Sequence, residues 1–332
     1  MALTELEVVL AWSKLLRRSK MTTKLSRREF IKSGTALGAA AVAAGSGFTW
    51  TAGATRMVAA EREVIDISAV GGSDYFDNTN KAVDMLGGMG QFVSKDSRVA
   101  VLINSAFRNP GTIVNPDIAL AIIRLCFEAG AKEVCSLLNE KEAYWSKSLL
   151  AEEHSEILAG LTRTDGTTKI EIPQGKSLRE VQVLKDFLEY DVLIDIPIVK
   201  DHTGTNFTGT LKNYMGVSGA SNRYFHTGSN PKSKGYYEEI PFLSQCIADL
   251  NLLRKPDLCV VDATEFVTSN GPFGPGKLKK LDKVVAGVDR VAMDSYVAGF
   301  LGYKGEDILM IKMAHEHGLG EINIGKLKIS EV

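Results

Sequence analysis

Residues 191–216 read DVLIDIPIVKDHTGTNFTGTLKNYMG, and the fold follows from the way this stretch changes character. Asp191–Val199 is an almost unbroken apolar run, the pattern of a strand covered on both faces in a parallel sheet. It ends in Lys200, Asp201 and His202, then passes through two Thr-Gly-Thr units into Lys212-Asn213. Open α/β sheets bind ligands at the carboxyl ends of their strands, and this strand delivers cations, a histidine and hydroxyls there.

The same alternation continues in both directions. Further strands are expected at Glu63–Ile67, Arg98–Ile103, Glu133–Leu138, Leu258–Ala263 and Lys283–Ala286. Helical spacing covers Thr79–Leu86, Pro116–Ala129, Ser177–Glu189, Pro241–Arg254, Val291–Leu301 and Glu306–His317. Asn115-Pro116 supplies an N-cap and a first-turn proline, and Gly130 a stop. The pattern predicts an α/β fold with a mainly parallel sheet and flanking helices, αβα and Rossmann-like, as one domain over residues 62–330. Residues 216–239, polar and glycine-rich, read as a long loop.

The residues just past the strand ends nominate a site. Asn104 lies after one strand, Asn139 and Glu140 after another, Lys200 to His202 after the central one, and Asp262, Glu265 and Asp289 at the last two. Lys200 and Lys212 supply positive charge. The hydroxyls of Thr203, Thr205, Thr208 and Thr210, with Asn104, Asn213 and His226, complete a cradle for a small phosphate- or carboxylate-bearing ligand. His202 is the candidate acid/base group, with Lys200 and Asp262 as its catalytic partners. A divalent metal on His202, His226 and Asp262 is the candidate cofactor, in which case Asp262 orients a histidine or shares the ion. No nucleophile–base pair stands out, so a non-catalytic binding or cofactor-assembly protein is the competing reading.

The run KDHTGTNFTGTLKNYMG resembles the signature of the family called domain of unknown function 362. The likeness extends to RVAVLINSAFRNPG and the helix after it, to Arg223 and His226, and onward to Asp249-Leu250, Pro256, Val261-Asp262, Gly271-Pro272, Asp289 and Asp294. The resemblance implies a site in this run but no reaction. Family members often carry Lys-Pro-Asn where this chain has Leu102-Ile103-Asn104, one cation fewer. Many also carry ferredoxin-type cysteines. Here Cys126, Cys135, Cys246 and Cys259 form no C-x-x-C and sit in apolar stretches, so buried free thiols are expected and an iron–sulfur cluster is not.

The chain of 332 residues has a net charge of -1, which argues against a nucleic-acid partner. That balance hides a basic front: residues 1–54 hold eight Lys/Arg against three Asp/Glu. Ser26-Arg27-Arg28-Glu29-Phe30-Ile31-Lys32 fits the twin-arginine export pattern, and no charge appears from there to Arg56. Residues 1–54 are therefore expected to be a signal region, with Met21 a second candidate start and cleavage near Ala54 or Ala60. The implied partner is the twin-arginine export machinery, the implied location extracytoplasmic, and membrane contact is confined to this segment. Finally, Gly271–Lys277 matches G-x-x-x-x-G-K but fails as a phosphate loop. Leu278 offers no hydroxyl, and Pro272 and Pro275 lack N–H groups. A rigid turn beside the strand-end site, leading into a strand, is the expectation there.

Overall fold

A computed structural model of the chain describes residues 64–227 and 240–332. The export signal expected in residues 1–54 lies outside them. In chain order the strands are β1 (Ile67–Gly71), β2 (Arg98–Ile103), β3 (Glu133–Ser136), β4 (Leu161–Arg163), β5 (Thr167–Glu171), β6 (Glu180–Leu184), β7 (Val192–Ile196), β8 (Leu258–Val267), β9 (Leu278–Gly287) and β10 (Ile329–Glu331). The α-helices are α1 (Tyr75–Met85), α2 (Pro116–Glu128), α3 (Glu142–Trp145), α4 (Ser155–Ala159), α5 (Lys185–Glu189), α6 (Thr210–Asn213), α7 (Asn222–Thr227), α8 (Ile240–Leu250), α9 (Arg290–Ala298) and α10 (Leu309–Glu316).

Eight strands form one sheet in the order β10-β1-β9-β8-β7-β2-β3-β4. Only β9 runs against its neighbours β8 and β1; the other pairings are parallel. The fold is thus α/β with a mainly parallel sheet. β2 and β7 are buried along nearly their whole length, as their unbroken apolar runs require. They lie side by side in parallel, Val99 opposite Val192 and Ile103 opposite Ile196. From β2 the chain crosses through α2 to β3 on one side; from β7 it goes on to β8 on the other. The carboxyl ends of β2 and β7 therefore flank a topological switch point, where such sheets open a crevice.

Local chemistry fixes the helix that launches from β2. The Asn115 side chain accepts from the Asp117 amide, Pro116 occupies the first turn, and Gly130 takes a φ of 97° beyond the end. Other expectations shift. Glu180–Leu184 is a strand rather than the first half of a helix. Val181 and Val183 point inward between exposed Glu180 and Gln182, so period-two burial wins over the helical spacing these apolar residues also fit. The strand expected at Glu63–Ile67 instead spans Ile67–Gly71, in register with β9. The strand at Lys283–Ala286 grows into β9, the second arm of a hairpin with β8. The expected loop after Gly216 opens as helical turns, Tyr214–Ser221 and α7, before the chain leaves the described residues. All four cysteines are free and buried. Among the described residues no helix is long and apolar enough to cross a membrane.

Candidate functional site

A cavity of about 250 Å³ opens at the β2/β7 switch point. Seven of the expected residues line it: Asn104, Lys200, His202, Thr208, Lys212, Asn213 and His226. Their placement begins with backbone pairing. Lys200 and Thr208 exchange amide–carbonyl bonds at 3.3 and 2.9 Å, closing the intervening loop on itself at the end of β7. The turn after β8 then seals the loop from outside. The Gly271 amide donates to the Asp201 carboxylate at 2.8 Å, and the Gly271 carbonyl accepts from Thr203. A Cβ on Gly271 would stand 1.7 Å from the Asp201 carbonyl oxygen, so only glycine permits this approach. The turn carries Pro272 and Phe273 to the cavity.

Two lysines are enclosed. Lys200 is fully buried. Its Nζ donates to the Thr112 carbonyl at 2.5 Å and to Asn104 Oδ1 at 3.4 Å, and lies 4.2 Å from the centre of the Phe107 ring. Lys212 is buried too, and its Nζ donates to the Met215 thioether at 3.0 Å. Burial lowers the Lys212 pKa from 10.5 to about 7, and burial plus the neighbouring Lys212 charge does the same to Lys200. No carboxylate lines this cavity among the described residues.

A chain of amides aligns one wall. Buried Asp195 in β7 accepts from Asn213 Nδ2 at 2.7 Å, and the same nitrogen donates to the Leu102 carbonyl at 3.0 Å. Asn213 Oδ1 then accepts from Asn104 Nδ2 at 3.1 Å, which turns Asn104 Oδ1 toward Lys200. Each amide orientation is thereby determined. Burial raises the Asp195 pKa well above the carboxylate range.

His202 is fixed in one tautomer. Its Nδ1 accepts from the amides of Gly204 and Thr205 at 3.0 and 3.2 Å, so the ring proton sits on Nε2. Burial first, then the charges of Lys212, His226 and Lys200, push its pKa to about 2. Burial and Lys212 bring His226 to about 4. His202 is accordingly a neutral hydrogen-bond donor. In this form Nδ1 is engaged and Nε2 carries the proton.

Asp262 stands elsewhere. It faces a neighbouring cavity with Asn115, Lys147, Thr264 and Glu265. Its carboxylate accepts from the Asn115 amide at 2.6 Å and the Thr264 amide at 2.8 Å, joining β8 to the start of α2. Burial lifts its pKa to about 6. It therefore orients no histidine, and the ligand trio His202, His226 and Asp262 is not assembled. Among the described residues, no three His, Cys, Asp or Glu side chains meet as a metal site. The remaining threonines are structural. Thr203 donates to the Gly271 carbonyl, Thr205 to the Phe207 carbonyl at 2.9 Å, and Thr210 to the Arg290 carbonyl at 2.8 Å. Glu140, expected at a strand end, accepts from Ser136 and Ser105, and Asp289 caps α9.

The sequence pattern did not assign the apolar wall to the site: Ala106, Phe107, Leu138, Met215 and the Pro272-Phe273 turn. Phe107 and Phe273 meet edge to face with ring centres 5.1 Å apart, and Phe273 is largely exposed. The signal for the second was the rigid turn; nothing in the sequence marked the first.

The molecule is thus of the class of mainly parallel αβα proteins with a cationic, half-apolar cavity at the strand ends. The family described as Domain of unknown function (DUF362) matches residues 99–299, and the chain belongs to it. A thylakoid-associated protein of Synechocystis sp. is 26% identical over 229 residues, covering 66% of this chain and 67% of the relative. Among solved structures, the lactate racemase apoprotein from Thermoanaerobacterium thermosaccharolyticum aligns with a TM-score of 0.40 at 11% identity, over 70% of this chain and 58% of that one. A Thermotoga maritima protein aligns with a TM-score of 0.28 at 14% identity, over 57% and 51% respectively. The chain thus spans less than two thirds of either structure.

Proposed function

We propose that the cavity binds a small anion, carboxylate- or phosphate-bearing with an apolar body, and that the protein is an enzyme acting on that ligand. One observation carries this reading: two buried lysines face the cavity and, among the described residues, no acidic one lines it. Burying unpaired cations is costly unless a counter-charge arrives, so the free protein holds an unfavourable arrangement that an anion relieves. His202 Nε2–H and Thr208 add neutral donors, and Phe107, Leu138 and Phe273 suit the apolar part. Asn213 and Asn104, held by Asp195, keep Lys200 in place.

The lysines give the binding a pH signature. Both are lowered to about 7, so above pH 7 they lose protons in the free protein, and an anion must restore them. Affinity for phenyllactate, whose carboxylate stays ionised throughout, measured by calorimetry, is expected to be constant between about pH 5 and 6 and to fall as pH rises from about 7 to 9. The fall approaches about tenfold per pH unit for each proton taken up. A flat profile between pH 6 and 9 removes the lysines from the reading.

The site works after export in this reading. The motif at residues 26–32 supports it, as does a relative described as thylakoid-associated. Residues 1–54 direct the folded domain of residues 62–330 to the twin-arginine machinery. Replacing Arg27 and Arg28 together with lysine should leave the protein in the cytoplasmic fraction. Export at the unaltered level would end the assignment.

A further inference from the structure

The two buried lysines differ in what surrounds their nitrogens. Lys200 sits in surroundings made for an ammonium: the Thr112 carbonyl, Asn104 Oδ1 and the face of Phe107. Lys212 donates to a thioether, a weak acceptor that gives an ammonium little compensation for lost water. The two groups line one cavity and titrate as a pair. The carbonyl and amide oxygens favour an ammonium on Lys200, whereas the Lys212 nitrogen meets sulfur, which makes Lys212 the better placed of the two to serve as a neutral amine. A neutral amine beside a fixed cation, in a cavity with an apolar wall, is the arrangement that makes a lysine nucleophilic.

We infer that Lys212 is an imine-forming amine and that the anion of this site carries a carbonyl next to its carboxylate, a 2-oxo acid. The inference rests on the anion-binding reading above and deepens it. Lys200, with His202 Nε2–H, faces the carboxylate, and Phe107 and Phe273 bracket the side chain of the acid. The Lys212 nitrogen adds to the carbonyl carbon, and the carbonyl electron pair moves onto oxygen, which takes one N–H proton. Loss of that hydroxyl with the second N–H proton gives the carbon–nitrogen double bond and one water. Nothing is oxidised or reduced. The carboxylate keeps its charge against Lys200 throughout. The resulting imine nitrogen, when protonated, draws electrons from the neighbouring carbon, as lysine–carbonyl intermediates do generally.

Among the described residues, the titratable groups that face Lys212 are Lys200, His202 and His226, none of which supplies a negative charge. Surface lysines lack this setting, for example Lys169, which pairs with Glu180 at 2.7 Å in the open. Selective reaction at one buried position is therefore the distinguishing mark.

The test uses the whole protein with phenylpyruvate and sodium cyanoborohydride, then intact-mass measurement and peptide mapping. The expected result is one reduced adduct per chain, mapped to Lys212, with at least tenfold less in Lys212→Met. Phenyllactate, the same anion without the carbonyl, should compete with trapping and leave no adduct. An adduct on Lys200, labelling scattered over surface lysines, or no adduct while phenyllactate binds, each overturns the assignment of Lys212 and leaves the anion site standing. If neither phenyllactate nor phenylpyruvate binds in calorimetry, the anion reading falls and takes the imine with it.

Discussion

Lys212→Met is expected to make the ligand-free protein more stable and at the same time to weaken its anion binding about 100-fold. The two effects come from one nitrogen. In the wild type, folding carries the Lys212 amine from water into a buried setting, and its pKa falls from 10.5 to about 7. Below pH 7 the folded state holds a buried ammonium; between 7 and 10.5 it gives up a proton that the unfolded chain keeps. The unfolded state thus binds more protons, and stability rises with pH across that window. The penalty is largest below pH 7 and fades toward 10.5. Methionine has a similar length, suits an apolar wall and leaves no strong acceptor unpaired, since the partner is the Met215 sulfur. A gain of about 2 kcal/mol at pH 6, shrinking as pH rises toward 10, is the expected outcome of urea unfolding.

Binding moves the other way. A charge-assisted hydrogen bond from a buried side chain is among the stronger contacts a protein makes, so its loss should weaken anion binding about 100-fold. Lys200→Met serves as a contrast. It loses binding similarly, but it strands the Thr112 carbonyl and Asn104 Oδ1 and so gains less stability. If Lys212→Met lowers stability at pH 6, the lysine has a structural partner that outweighs its burial, and the cavity is not a site waiting for an anion.

Much of this site could be read from contiguous sequence because the residues that form it are contiguous. Lys200, His202, Thr208, Lys212 and Asn213 fall within fourteen positions of one strand end, and a strand-end rule finds such a group without any knowledge of packing. Asn104 was legible for the same reason. Asp262 misled because β8 does not stop at Ala263 but runs on to Val267, so the carboxylate lies within the strand and turns to Asn115. Asp195 is hidden inside the apolar run VLIDI, where composition announces only burial. Phe107 and Phe273 come from two loops whose meeting depends on the hairpin of β8 and β9. The threonine hydroxyls were overcounted: glycine-spaced hydroxyls suggest a ligand cradle, yet three of the four hold the loop to itself or to its neighbours. His202 was identified as a site residue, but its role depends on two amides that donate to Nδ1, which no spacing reveals.

How Lys212 is held in position leads to the second large effect, Asp294→Ala. The short helix α6 carries both Lys212 and Asn213, and its own N-cap is Gly209, which has no side chain to offer. The cap comes from α9. Asp294 accepts from the Thr210 amide at 2.6 Å, from the Thr210 hydroxyl at 2.9 Å and from the Leu211 amide at 3.0 Å, all buried. A side chain from another element thus satisfies the free amides that start the helix. The approach is so close that a Cβ on Gly209 would lie 2.2 Å from Asp294 Oδ1 and 2.5 Å from the Phe207 ring. Removing the carboxylate leaves two buried amides without acceptors and opens a void, a loss of about 3–5 kcal/mol in urea unfolding. Asp294→Asn keeps one acceptor oxygen and should lose about half as much. Burial raises the Asp294 pKa to about 7, so the folded state binds more protons than the unfolded one between pH 4 and 7. Its contribution is complete below pH 4 and declines as pH rises through 7, opposite in sign to that of the lysines. Gly209→Ala should also be destabilising, and the double variant should cost less than the sum because the contact with Asp294 is shared, while the clash with the Phe207 ring remains. A loss below about 1 kcal/mol for Asp294→Ala would mean that α6 caps itself with water, and that Lys212 and Asn213 keep their positions without α9.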